Sequence, residues 1–250
     1  MNSCILVMSI IIGILICFGI PLGYLVYLIV SRREDIKFYF GGVCAFVISQ
    51  MILRIPILNY VLPNMDWYLV METSYTLIYS LFLGFTAGLF EETARFIGFK
   101  TILKGKRKVT WESGVAFGMG HGGIEAMLLV GAGMVNELIK IINSSAALDS
   151  SVTAVNVLIG GFERVFAIAF HVGATLIVLY GIKVAKKRYL ALAILIHGVF
   201  DSAAGILTAL GASFYLVELW CVIWGTALFI FAVKCKKLFK GDGVLNEKTI

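Results

Sequence analysis

Long uninterrupted apolar runs dominate this chain, and they decide what it can fold into. Roughly 20 consecutive apolar residues cross the hydrocarbon core of a bilayer as a helix. Seven such runs are legible, at about 4–30, 38–55, 68–99, 111–135, 155–182, 189–208 and 212–233. Hydrocarbon offers backbone groups no water to bond, so each run must satisfy its own N–H and C=O groups as a helix. Hydrophobic residues make up 60% of the 250 and charged residues only 14%, against about a quarter charged in a soluble domain. The expected fold is an all-α, polytopic membrane helix bundle of seven transmembrane helices, forming a single integral membrane domain over 1–250.

Basic residues give the expected orientation. Seventeen of the 21 lysines and arginines follow the odd-numbered runs: Arg32, Arg33 and Lys37, then Lys100 to Lys108, Lys183 to Arg188, and Lys234 to Lys248. The connections near Asn59–Asp66 and Asn143–Ser151 carry none, and Lys140 stands just before the second. Lys and Arg accumulate on the cytoplasmic side. The N-terminus is therefore expected outside and the C-terminus inside, with 234–250 as a cytoplasmic tail. The net charge of +6 then reports topology, with contact to anionic lipid as a secondary role; nucleic acid is not an expected partner. The first run lacks a basic n-region, is too long for a signal peptide and is followed by Arg32 and Arg33, so it reads as a retained helix. The five cysteines have no CxxC spacing and read as buried hydrophobes.

Ionisable groups within such runs are costly, about 2.5–3.5 kcal/mol each at a helix centre on insertion scales, and tend to face a cavity or a partner. Here Glu91, Glu92 and Arg95 lie in the third run, and His121 and Glu125 in the fourth. Glu163, Arg164 and His171 lie in the fifth, and His197 and Asp201 in the sixth. All three histidines of the chain belong to this set. Glu91 and Arg95, His121 and Glu125, and His197 and Asp201 are each four residues apart, so each pair shares a helix face. Counted from the nearest basic connection, Glu91, Glu92 and the three imidazoles lie about 12–20 Å deep. Four helices of alternating direction thus deliver carboxylates and imidazoles to one level, within about 68–208, and glycines around His121 and His197 allow close helix approach.

That set can activate water. Beside Arg95, one carboxylate of the Glu91–Glu92 pair can stay ionised as a general base. Imidazole N–H groups of His121 and His197 can stabilise an oxyanion at an attacked carbonyl, and Asp201 can fix the tautomer of His197. His171, Glu125 and Arg164 are expected to support the site. The composite is an acyl-transfer site inside a membrane, and a membrane-embedded peptide or protein is the substrate such a site would meet, with lipid as its other partner. No cofactor is required on this reading. Zinc is the alternative, held by His121, His171 and His197 with a glutamate; histidine content alone does not separate the two. GxSxG, HExxH, GxGD and Walker sequences are absent.

Glu91-Glu92-x-x-Arg95, Phe117-x-x-x-His121 and His197-x-x-x-Asp201 together resemble the three-motif pattern of the CPBP/ABI-type intramembrane glutamic proteases. That group includes the type II CAAX prenyl endopeptidases. The chain is most similar to its YhfC branch of bacterial proteases. The related APH subunit of γ-secretase shares the expected topology and the histidines in helices five and six. The resemblance covers about 120 residues, in helices three to six. It implies Glu91 as the water-activating glutamate, with Glu92 and Arg95 completing the first motif. It also implies His121 and His197 as the second- and third-motif histidines, the latter assisting the oxyanion. Two departures stand out. The arginine sits at EExxR rather than EExxxR spacing, a rotation of about 100°, and Asp201 replaces an asparagine donor with an acceptor. The resemblance implies an intramembrane endopeptidase of glutamic type, multi-pass in a bacterial plasma membrane. A catalytically silent scaffold or immunity protein of the same fold, and a small proton-coupled transporter, are the alternatives. Transporters often carry internal repeats, and none is visible here. Glu72 and Glu218 are expected to be solvated at outer helix ends, and Arg54 to snorkel to the interface.

Overall fold

The computed structural model describes residues 3–104, 109–143 and 153–240, and every regular element among them is helical. Lys106, Arg107, Lys108, the connection from 144 to 152, and the tail beyond Lys240 with Lys248 lie outside the described residues. The elements are α1 (Ser3–Ser31), α2 (Ile36–Phe46), α3 (Asp66–Ser74), α4 (Thr76–Ile102), α5 (Trp111–Glu125), α6 (Ala132–Ile142), α7 (Ala154–Lys183), α8 (Arg188–Ala209) and α9 (Phe214–Lys234). Three described stretches are π-helical: Val47–Arg54 extends α2, Ile57–Val61 follows it, and Ala126–Gly131 joins α5 to α6.

Among the described residues, five helices are long and apolar enough to cross a membrane, or six if α3 and α4 count as one bent pair. The run read as one helix over 68–99 is broken: α3 and α4 meet at 116° around Tyr75. Glu72, Thr73 and Ser74 end α3 in polar residues, and Tyr75 leaves helical geometry at φ −131° and ψ 57°. The run Trp111–Ile142 is not among the five; the π-helical Ala126–Gly131 stands between α5, of 15 residues, and α6, of 11.

Helix ends follow from local chemistry. Thr110 and Ser113 form a reciprocal capping box that starts α5, and Thr153 caps α7 by accepting from the Asn156 N–H. Such caps satisfy amides that the first helical turn leaves unpaired. Gly211, at φ +78°, reverses the chain after α8, a conformation glycine adopts without a Cβ penalty. The basic connections gather at one end of the bundle, where Lys183 Nζ donates to the Leu238 carbonyl at 2.8 Å and Lys236 pairs with Glu112 at 3.2 Å.

α7 is the central helix. It is buried along most of its length and packs against α1, α5, α8 and α9. The other spans expose long apolar side chains such as Leu15, Val30, Ile223 and Phe229, a surface suited to lipid. Lipid is as apolar as leucine, so helix association rests on close packing and polar bonds rather than on transfer from water. A Cβ on Gly42 would lie 2.0 Å from the Phe117 carbonyl oxygen, and one on Gly120 2.0 Å from that of Tyr39. α2 and α5 therefore touch backbone to backbone. α4 approaches α8 in the same way, with Gly84 against the Ser202 amide and Gly88 against the Ile194 carbonyl. That contact sets the Glu91–Glu92 turn against His197.

Candidate active site

α4 places Glu91, Glu92 and Arg95 on one turn, and all three are buried. Arg95 reaches both carboxylates: Nη1 donates to Glu92 Oε1, and Nη2 lies 3.3 Å from Glu91 Oε2. The EExxR spacing thus keeps the arginine on the glutamate pair. Arg95 Nη2 also donates to His171 Nδ1 at 2.6 Å. A guanidinium only donates, so Nδ1 is an acceptor and the neutral ring carries its proton on Nε2. That nitrogen lies 2.6 Å from Glu125 Oε2.

The other imidazoles close on the same turn. His121 Nε2 lies 2.9 Å from Glu91 Oε2. His197 Nδ1 lies 2.6 Å from Glu92 Oε1, while its Nε2 is 3.7 Å from Glu91 Oε2 and 3.4 Å from Asp201 Oδ2. The rings of His121 and His171 are 5.3 Å apart and those of His171 and His197 5.5 Å. All the residues singled out from sequence therefore converge: Glu91, Glu92, Arg95, His121, Glu125, His171, His197 and Asp201 form one connected cluster. Arg164 joins it through Glu125 at 3.5 Å and is itself paired with Glu163.

Two participants were missed in the sequence. Gln50, from the π-helical extension of α2, donates through Nε2 to Glu91 Oε1 at 2.8 Å. Arg54, one turn on, donates to Gln50 Oε1 at 3.1 Å, to Thr86 Oγ1 at 3.2 Å and to the Leu83 carbonyl at 2.6 Å. Arg54 does not snorkel; its guanidinium is spent inside the bundle on α4 and Gln50. The available signal was a Ser-Gln pair with an arginine four residues on, in an otherwise apolar run. π-turns are frequent at functional sites, and here one carries Gln50 while another follows directly on Glu125.

The cluster forms one wall of a polar cavity of about 270 Å³ between α7, α8 and α9. Its lining adds Glu163, Arg164, Trp220, Cys221 and Glu218. Glu218 is accordingly half-buried on the cavity wall rather than solvated at a helix end. Cys221 Sγ donates to Glu163 Oε1 at 2.6 Å. Cys17, Cys221 and Cys235 are buried, but Cys4 and Cys44 are exposed on the apolar surface, contrary to the reading of the cysteines as buried hydrophobes. Cys44 lines a larger apolar groove of about 650 Å³ between α2 and α4 that contains no titrating carboxylate or imidazole.

One subset has the makings of a metal centre. Glu91, His121, Glu125 and His171 each offer a donor atom, and all four atoms lie within 4.8 Å of one another. Zinc bonds of about 2.0–2.2 Å would bring tetrahedral donors to about 3.4 Å, a contraction within side-chain reach. His197 lies outside this group, turned toward Glu92 and Asp201. The charge balance has room for a cation. The carboxylates of Glu91, Glu92, Glu125, Glu163, Asp201 and Glu218 outnumber the guanidiniums of Arg54, Arg95 and Arg164 by three.

An all-helical membrane bundle with a buried carboxylate–imidazole cluster on a polar cavity defines the class: a multi-pass membrane protein whose buried Glu/His set could hold a metal ion. The chain belongs to the family described as YhfC intramembrane metalloprotease, which it matches over residues 14–222. It is similar to the uncharacterized membrane protein YhfC of Bacillus subtilis (strain 168), with 28% identity over 251 residues, covering 90% of this chain and 94% of that protein.

Proposed function

We propose that this protein is an intramembrane metallopeptidase that hydrolyses a peptide bond of a membrane-embedded substrate. The observation that carries the reading is the convergence of Glu91, His121, Glu125 and His171 within 4.8 Å, inside helices and beside a polar cavity. Zinc suits the donor set. Catalytic zinc keeps three protein ligands and an open position, an arrangement met by His121, His171 and Glu125 with Glu91 beside them. To bind, His171 must free one nitrogen, either Nδ1 from Arg95 or Nε2 from its proton. A zinc ion so held supplies Lewis acidity toward water and toward a carbonyl oxygen.

The remaining roles fall to the chain's own groups. Gln50 and Arg95 hold the Glu91 carboxylate from both sides, so it is oriented to take a proton from water. His197 has a carboxylate at each ring nitrogen, so a proton on either is held in place. Its Nε2 faces the cavity beside Asp201 and can donate to the carbonyl oxygen or to the departing amine. Asp201 therefore acts through His197. This reading keeps Glu91 and His197 in the roles expected from the sequence but replaces the metal-free mechanism with a zinc-assisted one.

The test is purified, reconstituted protein offered a panel of single-span peptides, with bound zinc measured in parallel. Wild type should carry one zinc and cleave, and a chelator should abolish both. Glu91→Gln should abolish cleavage while retaining zinc. Glu125→Gln should lose zinc. A folded wild type that cleaves in full after zinc removal would overturn the metal assignment. Zinc binding without cleavage of any peptide would favour a scaffold built on the same fold.

A further inference from the structure

Water and substrate must reach a site that lies within a bilayer, and the layers around the cluster differ sharply in polarity along the bundle axis. On each helix, the next turn toward the basic connections is closed, and it is apolar apart from Thr175 on α7. Phe99 follows Arg95 on α4, Phe117 precedes His121 on α5, Leu176 and Leu179 follow His171 on α7, and Ala193 precedes His197 on α8. All but Ala193 have large side chains, and all five are fully buried. Phe99 and Phe117 stack at 4.2 Å and close the floor. Thr175, the polar exception, is itself fully buried.

Toward the other end the same helices turn polar. Glu163 and Arg164 lie about 10–12 Å from His171 along α7, and Asp201 and Glu218 flank the cavity from α8 and α9. The Asp201 side chain is 32% exposed, whereas the cluster behind it is closed. Residues at this end adjoin the α8–α9 turn around Leu210, which is itself exposed. A cavity of about 270 Å³ with this lining is polar and roomy enough to hold bridging waters.

We propose that the Glu/His site communicates with solvent through one opening only, the cavity between α7, α8 and α9, at the end of the bundle that carries the α8–α9 turn. Hydrolytic water enters there. On the peptidase reading, on which this step alone rests, the peptide bonds cut are those presented in the half of the membrane nearest that turn. By the distribution of basic residues, that is the side away from the cytoplasm.

Cys221 is a native probe, because it lines the cavity. The experiment uses full-length protein in cells and in inverted vesicles, with Cys4, Cys17, Cys44 and Cys235 replaced by serine. The reagent is a membrane-impermeant cationic methanethiosulfonate. Leu210→Cys and Lys104→Cys, each exposed and at opposite ends, report which face is which, in a background that also carries Cys221→Ser. Ala204→Cys, on the α8 wall of the cavity, is an independent second probe in that background. Leu176→Cys, in the closed layer, is the negative control. Cys221 and Ala204→Cys should react from the same side as Leu210→Cys and not from the side of Lys104→Cys, while Leu176→Cys reacts from neither. Reaction of Cys221 or Ala204→Cys from the Lys104→Cys side would overturn the proposal. So would silence of both in membranes where Leu210→Cys is labelled. Thiol labelling needs no turnover, so failure of the peptidase reading would leave this result standing, and the reverse.

Discussion

Replacing Gln50 with leucine keeps the side-chain volume nearly constant and deletes two bonds at once: the donation from Nε2 to Glu91 Oε1 at 2.8 Å, and the acceptance by Oε1 from Arg54 at 3.1 Å. Each involves an ionised group, and hydrogen bonds to charged groups contribute about 1.5–3 kcal/mol. Water cannot easily replace them, because Gln50 is 4% exposed and Glu91 likewise 4%. Arg54 retains Thr86 and the Leu83 carbonyl, so its loss should sit at the low end. The Glu91 side keeps Arg95 but loses its only partner at Oε1 among the described residues, so its loss should sit higher. Gln50→Leu should therefore destabilise the folded protein by about 3.5–4.5 kcal/mol. Arg54→Met alone should also destabilise, and the double variant should be less damaging than the sum, with a coupling of about 0.5–3 kcal/mol. Unfolding in detergent, followed by tryptophan fluorescence, measures all three. Zinc content should survive, because Gln50 touches none of His121, His171 or Glu125. Strict additivity of the two substitutions, or a Gln50→Leu protein as stable as wild type, would refute the orienting role.

Further expectations follow the same geometry. Glu125→Gln and His171→Ala should each weaken zinc binding by more than the 10–100-fold typical of losing an outer partner, whereas Asp201→Asn should leave it unchanged; equilibrium competition with a chelator reads both. Arg164→Met strands Glu163 and Glu125 beside a cavity, and removing one partner of a buried pair costs about 3–5 kcal/mol, so its unfolding midpoint should fall well below that of wild type. Gly42→Val drives a Cβ to 2.0 Å from the Phe117 carbonyl oxygen. Overpacking of that kind costs about 1–3 kcal/mol, and by moving α2 off α5 it should also weaken the Gln50–Arg54 coupling.

What could be read from sequence was what membrane depth makes expensive. Glu91, Glu92, Arg95, His121, His171, His197 and Asp201 announce themselves because nothing but function or pairing repays an ionisable group in hydrocarbon, and their fourfold spacing gives the helix face. The same logic overlooked Gln50, since one neutral amide in an apolar run carries no comparable penalty, and it assigned Arg54 to the interface because a long cation near a run's end usually reaches out. The break at Tyr75 was invisible for a related reason: the run is apolar enough on both sides to average out Glu72, Thr73 and Ser74. Nor could spacing choose the metal set. Sequence orders His121, His171 and His197 as equals, and only the packing of α4 on α8 turns His197 toward Glu92 and leaves Glu125 beside His171.

α7 ties these features together. Its buried C-terminal half supplies Phe170, Leu176 and Leu179 to the closed layer, while its N-terminal half carries Glu163 and Arg164 to the cavity, with His171 at the boundary. The helix thus separates a dry half of the bundle from a wet one at the level of the site. Electrostatic interactions strengthen on the dry side, and on the proposed access route water arrives from the other. On the proposed function, hydrolysis in a membrane needs both conditions within a few ångströms, and this change in polarity along one central helix would provide them.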